Sequence, residues 1–99
     1  MNDYILFMHD DVPGVRGTDD QWSVYFANLR EAGVFEGGSS IGDGVCMSKS
    51  ADPVAITRHL SGYIRIRVAN MGVAREMVVG NPVYEAGGTV EIRELPRTG

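Results

Sequence analysis

The sequence predicts an α+β fold in the order βαββαβ: an antiparallel sheet with two helices on one face. Three observations carry this. Leu60–Val68 alternates apolar and polar residues, as a half-buried strand does. Met71 to Val79 has helical spacing. Thr89–Leu95 then returns to alternation. Strand, helix, strand in this order is half of a split β-α-β fold.

Each element has its own signal. Tyr4-Ile5-Leu6-Phe7-Met8 is apolar on both strand faces, which predicts a central strand. His9 to Gly17 is polar and turn-forming. A helix starts at Thr18, an N-cap with Gln21 three residues on, which is capping-box spacing. Asp19 and Asp20 suit the positive end of the helix dipole. Trp22, Tyr25, Phe26 and Leu29 form one apolar stripe, and Gly33 is a natural residue to end the helix. Val34–Ile41 reads as a strand that bulges at its glycines. Val45-Cys46-Met47 reads as a short edge piece, and Lys49 to Thr57 as a loop turning at Asp52-Pro53. Asn70 caps the second helix, whose buried stripe is Val73, Ala74, Met77 and Val78. Gly80-Asn81-Pro82 ends it, and Gly87-Gly88 leads into the last strand.

Ninety-nine residues suit one domain. A formal net charge of −4 and a pI near 5.0 argue against a nucleic-acid partner. Cys46 is alone, so no internal disulfide forms, and no Cys/His spacing suggests zinc. The N-terminus lacks the basic start and long apolar core of a signal peptide. No apolar stretch is long enough to span a membrane. A soluble cytoplasmic protein is the expectation.

The two faces of the sheet differ. Ile64, Ile66 and Val68 would meet the helices, leaving Tyr63, Arg65 and Arg67 on the open face with Glu91 and Arg93. The first strand puts apolar side chains on that open face too, and an apolar centre needs cover. A second copy related by a two-fold axis is the simplest cover.

Three features carry a family resemblance: the opening strand Tyr4–Met8; Leu29-Arg30-Glu31-Ala32-Gly33-Val34 running into Gly37-Gly38; and Leu60-Ser61-Gly62-Tyr63 followed by a helix and Gly87-Gly88-Thr89-Val90-Glu91-Ile92-Arg93. In these the chain resembles the YCII-related proteins of the DGPF-type group. The resemblance implies a ferredoxin-like subunit that dimerises into an α+β barrel, a type shared with muconolactone isomerases and small monooxygenases. The Asp-Gly-Pro-Phe tetrapeptide is absent, and Pro53-Val54-Ala55-Ile56-Thr57-Arg58-His59 stands in its place. Some relatives carry a His on the first helix as part of a proposed His–Asp dyad. This helix has none, so that dyad is not carried over.

Four residues are candidates for chemistry. His9 ends the first strand beside Asp10 and Asp11, and an imidazole near a carboxylate serves as a general base near neutral pH. The competing reading is a polar strand end entering a solvated loop. Arg65 and Arg67 stand two apart on one face, placed to clamp an anion or else to pair across strands with Glu91. Tyr63 supplies a hydroxyl to the same pocket or simply packs. His59 precedes the long strand and either reaches the open face near Arg58 or sits in a loop, and metal binding by His9, His59, Asp10 and Asp11 has no supporting ligand spacing. Gly37–Gly44 lacks the Lys-Ser/Thr ending of a phosphate loop and reads as a bulge. Cys46 reads as a small buried hydrophobe and Trp22 as helix core.

The functional expectation is a homodimer that handles a small, anionic organic molecule. His9 would move the proton, and Tyr63, Arg65 and Arg67 would bind substrate. By resemblance, isomerisation or oxygenation without a cofactor is the class implied. The rival is a non-catalytic module that senses a ligand or docks to a protein. A pocket joining a His, an Arg and a carboxylate separates the first from the second.

Overall fold

The computed structural model of the chain describes residues 1–13, 17–49 and 54–97. The elements are β1 (Asn2–His9), α1 (Asp19–Glu31), β2 (Phe35–Ser40), β3 (Leu60–Val68), α2 (Met71–Val78), α3 (Pro82–Glu85) and β4 (Val90–Leu95). The expected βαββαβ order is present, with α3 added.

Alternation on β1 and β3 decides which way the sheet faces. Tyr4, Leu6 and Met8 point to the helices, as do Ile64, Ile66 and Val68, and all six are buried. Leu6, Ile64 and Ile66 are wholly excluded from water, and each such side chain contributes roughly 1.5–3 kcal/mol of hydrophobic stabilisation. The strand order is β2-β3-β1-β4, with every neighbouring pair antiparallel. β1 is therefore central, as its apolar character on both faces requires.

The helices cover one face because their stripes match it. Tyr25 and Leu29 of α1, Ala74 and Val78 of α2, and Val83 of α3 join the core. The capping box at Thr18 forms in both directions: Thr18 Oγ1 accepts from Gln21 N at 3.2 Å, and Gln21 Oε1 accepts from Thr18 N at 2.8 Å. Gly33 follows the cap residue Ala32 with a φ of +73°, a left-handed conformation that glycine adopts without strain. Asn70 Oδ1 accepts from Val73 N and starts α2. Tyr25 is anchored between layers, its hydroxyl donating to Met77 O at 2.7 Å.

Three local expectations change. Asn81 does more than end α2. Its Oδ1 accepts from Val83 N and Tyr84 N, and Pro82 supplies a fixed φ at the first position, so a short helix follows. Val45–Met47 is not a strand; it makes no sheet pairing, and Val45 and Met47 are exposed. Cys46 is exposed rather than buried. The cause is shared: the chain after Ile41 leaves the sheet edge, so nothing lies over these side chains. The Asp52-Pro53 turn lies outside the described residues.

The bulge in β2 is present. Its pairing with β3 shifts register between Phe35 and Gly38. Gly37 there has a φ of +118°, and a Cβ on Gly38 would stand 2.6 Å from the Tyr63 carbonyl oxygen. Close backbone approach is why glycine occupies the second position.

Candidate functional site

The open face is built in rows across the strands. One row holds Ser39, Tyr63, Phe7 and Glu91; the next holds Arg65, Ile5 and Arg93; the third holds Arg67, Asp3 and Leu95. Ile5 and Phe7 are half-buried at its centre. His9 closes the face at the end where β1 leaves the sheet.

His9 does not point to bulk solvent. Its side chain is 16% exposed, and Nε2 lies 2.9 Å from Glu91 Oε1. An ionised carboxylate only accepts, so Nε2 carries the hydrogen and Nδ1 is left as the acceptor. Glu91 is held in turn by Arg93, whose Nη1 is 3.2 Å from Oε2. The Arg93 hydrogen bond and then the His9 hydrogen bond hold the Glu91 carboxyl below its ordinary range. The His59 ring stands edge-on to His9, with centroids 4.7 Å apart. Beside them Asp11 accepts from the Thr89 hydroxyl and backbone N–H, fixing the loop that leaves β1.

The two arginines part company. Arg67 Nε donates to Asp3 Oδ1 at 2.8 Å and lies 3.8 Å from Glu36. It sits opposite Asp3, at the far end of β1 from His9, roughly 20 Å away along the strand. Arg65 is exposed and has no ion-pair partner among the described residues. Neither arginine pairs with Glu91, because β1 lies between β3 and β4.

The concave site is on the other side of the sheet, at the same end. A cleft of about 710 Å³ opens between α1 and the β2–β3 edge. That is within the roughly 300–1,000 Å³ typical of small-molecule pockets. Trp22 and Phe26 form one wall, their rings stacked with centroids 5.5 Å apart. Met8, Ile64 and Val83 form the apolar floor. Ser39, Ser40 and Asp43 line one edge, and Thr57 and Arg58 the other, with Asp10 and Tyr63 between. Of the four expected site residues only Tyr63 lines it; His9, Arg65 and Arg67 do not. The cleft thus joins an arginine and two carboxylates, without an imidazole.

Glu91, Trp22, Arg58 and Asp43 were not legible as site residues. Glu91 had a usable signal: Phe7 pairs with Glu91, which makes His9 and Glu91 diagonal cross-strand neighbours once β4 is placed beside β1. Arg58 and Asp43 had none, since both lie in glycine-rich or irregular chain. No group of three or more metal-ligating side chains occurs among the described residues.

No protein-family model matches the chain, and no curated protein matches it in sequence. A solved structure does. 5-chloro-2-hydroxyhydroquinone dehydrochlorinase from Burkholderia phenoliruptrix AC1100, in complex with 2,5-dihydroxybenzoquinone, aligns over 97% of this chain and 95% of its own. The TM-score is 0.59 at 10% identity, so the likeness is one of fold. The neighbour is a ferredoxin-like α+β barrel, and the alignment supports the α+β fold of this chain, an antiparallel sheet with its helices on one face. No helix among the described residues is long and apolar enough to cross a membrane.

Proposed function

We propose that the chain is one subunit of a homodimeric, YCII-like α+β barrel protein that binds and transforms a small organic molecule. The observation that carries binding is the open cleft of about 710 Å³, walled by Trp22 and Phe26 and edged by hydroxyls and charged groups. Flat aromatic walls favour a planar ligand. A fold neighbour that holds a planar quinone supports the same choice. The cleft edge carries Asp10, Asp43 and Arg58, a balance that suits hydroxyl-bearing rings, whose O–H groups donate to carboxylates. Tyr63 adds a hydroxyl at the border between cleft and open face. An anionic substituent in the cleft would find its cation at Arg58, since Arg65 lies on the open face and the Arg67 guanidinium there is held by Asp3.

His9 is the proton carrier in this reading. Met8 and Asp10, on either side of His9, line the cleft, so His9 serves a ligand that extends past this strand end to the open face: with Nε2–H held by Glu91, Nδ1 takes its proton, and the carboxylate stabilises the imidazolium that results. Returning the proton to another atom completes an isomerisation with no cofactor. A second reading, a ligand sensor without catalysis, is favoured by one observation: neither His9 nor His59 lines the cleft.

Trp22 is the single tryptophan, so its fluorescence reports the cleft directly. Titration with resorcinol and with 2,5-dihydroxybenzoquinone should change that emission saturably. Each should raise the melting temperature, with about 2.7 kcal/mol of stabilisation at a hundredfold excess over Kd. No saturable change with either ligand would remove the cleft as the site. His9→Gln separates the two readings: it should abolish turnover of a bound ligand while leaving its Kd within about twofold. An unchanged rate would leave the sensor.

A further inference from the structure

We infer that the cleft selects a hydroxylated aromatic carboxylate, with Arg58 holding the acid and Asp43 a ring hydroxyl. This rests on the cleft being the ligand site, as proposed above. Arg67 and Arg97 hold Asp3, Arg93 holds Glu91, and Arg30 stands over the Phe26 and Phe35 rings. Arg58, Arg65 and Arg75 have no side-chain partner among the described residues. Of these only Arg58 lines the cleft. Arg65 is on the open face, and Arg75 is on the exposed side of α2.

A guanidinium is planar and always charged, and its fork fits both oxygens of a carboxylate. Arg58 stands at the edge of a cleft walled by the stacked Trp22 and Phe26 rings. A ring seated on that wall can carry its acid to the guanidinium. The chain beside Arg58 is anchored, since the His59 carbonyl oxygen accepts from Asp10 N and ties it to the end of β1.

Asp43 lies on the opposite edge. Both residues also line an adjoining hollow of about 200 Å³, so they share one end of the cleft. No ion pair joins them. Asp43 Oδ1 accepts from Gly44 N at 2.8 Å, which leaves Oδ2 to accept from a ligand. A cation and a carboxylate that share an opening without pairing are met together by a ligand carrying both an acceptor and a donor.

Charge decides between ligand classes. With Asp10, the lining carries two carboxylates and one guanidinium. An acid without a hydroxyl would engage Arg58 and be repelled by the carboxylates. A phenol without an acid would donate to a carboxylate and offer Arg58 no anion. A ring carrying both groups satisfies each side.

Isothermal titration calorimetry of the full chain at neutral pH tests this with 2,5-dihydroxybenzoate, hydroquinone and benzoate. The first carries both groups; the second lacks the acid and the third the hydroxyls. 2,5-Dihydroxybenzoate should bind at least about tenfold more tightly than either. Arg58→Gln should erase its advantage over hydroquinone and leave the hydroquinone Kd within about twofold. Asp43→Ala should erase its advantage over benzoate, and Arg65→Gln should preserve both advantages. Both Arg58 and Asp43 are exposed, so circular dichroism of their variants should match wild type. Equal affinity for 2,5-dihydroxybenzoate and hydroquinone, or an advantage that survives Arg58→Gln, would overturn the acid's place and leave the cleft as a site for uncharged rings. An advantage over benzoate that survives Asp43→Ala would overturn the hydroxyl's place. Saturable binding by none of the three would overturn the ligand class and the cleft together.

Discussion

At the level of single side chains, Asp3 is a carboxylate held by two arginines. Arg67 Nε and Arg97 Nε both donate to it, at 2.8 and 3.1 Å, while its own side chain is mostly withdrawn from water. The Arg67 hydrogen bond first, and then that from Arg97, holds its carboxyl below the ordinary value of 3.8. A carboxylate with a depressed folded pKa contributes stability that is present above its unfolded pKa and lost as pH falls through the folded one. Asp3→Asn should therefore be less stable than wild type at neutral pH. The gap, read as the difference in urea midpoints, should hold down to about pH 4 and close below it. A gap that persists unchanged to pH 2 would mean the bonds, not the charge, carry the effect.

His9 and Glu91 follow a different logic. They are separated by 82 positions in sequence, so no local spacing announces them. Their meeting depends on β4 pairing with β1 in one register. The imidazole was legible as a candidate because it ends a strand beside acidic residues. Its hydrogen-bond partner is neither of those neighbours: Asp10 is adjacent and faces the other way, and Asp11 is taken up by Thr89.

At the scale of elements, β2 is where sequence and packing meet most tightly. Gly37 and Gly38 read as a bulge, and the register shift lies there. The reason is steric: a side chain on Gly38 would press on the backbone of β3 at Tyr63, which cannot swing aside as a flexible side chain would. Gly38→Ala should destabilise the chain by about 1–3 kcal/mol, the usual range for overpacking. Denaturant unfolding with an unchanged m-value would check it, because the fold is kept and only the native state is strained. A cost below about 0.5 kcal/mol would mean that β2 detaches easily from the edge. By contrast, α3 shows what element-level reading misses. Four residues are too few for a periodic signal, and the short helix exists because a buried Asn81 caps it.

For the molecule as a whole, the sheet has one covered and one open face, and the two should respond oppositely to the same change. Phe7 is half-buried on the open face, and its neighbour Leu6 is wholly buried against the helices. Phe7→Asp should leave the subunit folded and weaken its self-association. Leu6→Asp should unfold it, because an unpaired charge would be buried. Circular dichroism paired with sedimentation separates the outcomes. A Phe7→Asp chain that dimerises as wild type does would show that the open face is not the interface.

The sequence by itself determined the four strands and two longer helices, their order and their inward faces, though not α3. These depend on periodicity, caps and glycines, which act within one turn of helix or a few residues of strand. Tyr4–Met8, the Thr18–Gln21 box and Leu60–Val68 all fall where these rules place them. Only the tertiary structure decided which charges meet and where the cleft lies. The strand order put β1 between Arg65 and Glu91, gave Arg67 to Asp3, and brought Trp22, Asp43 and Arg58 to one opening. Such pairings are set by burying a whole face at once. They are long-range consequences of packing, and no window of local sequence contains them.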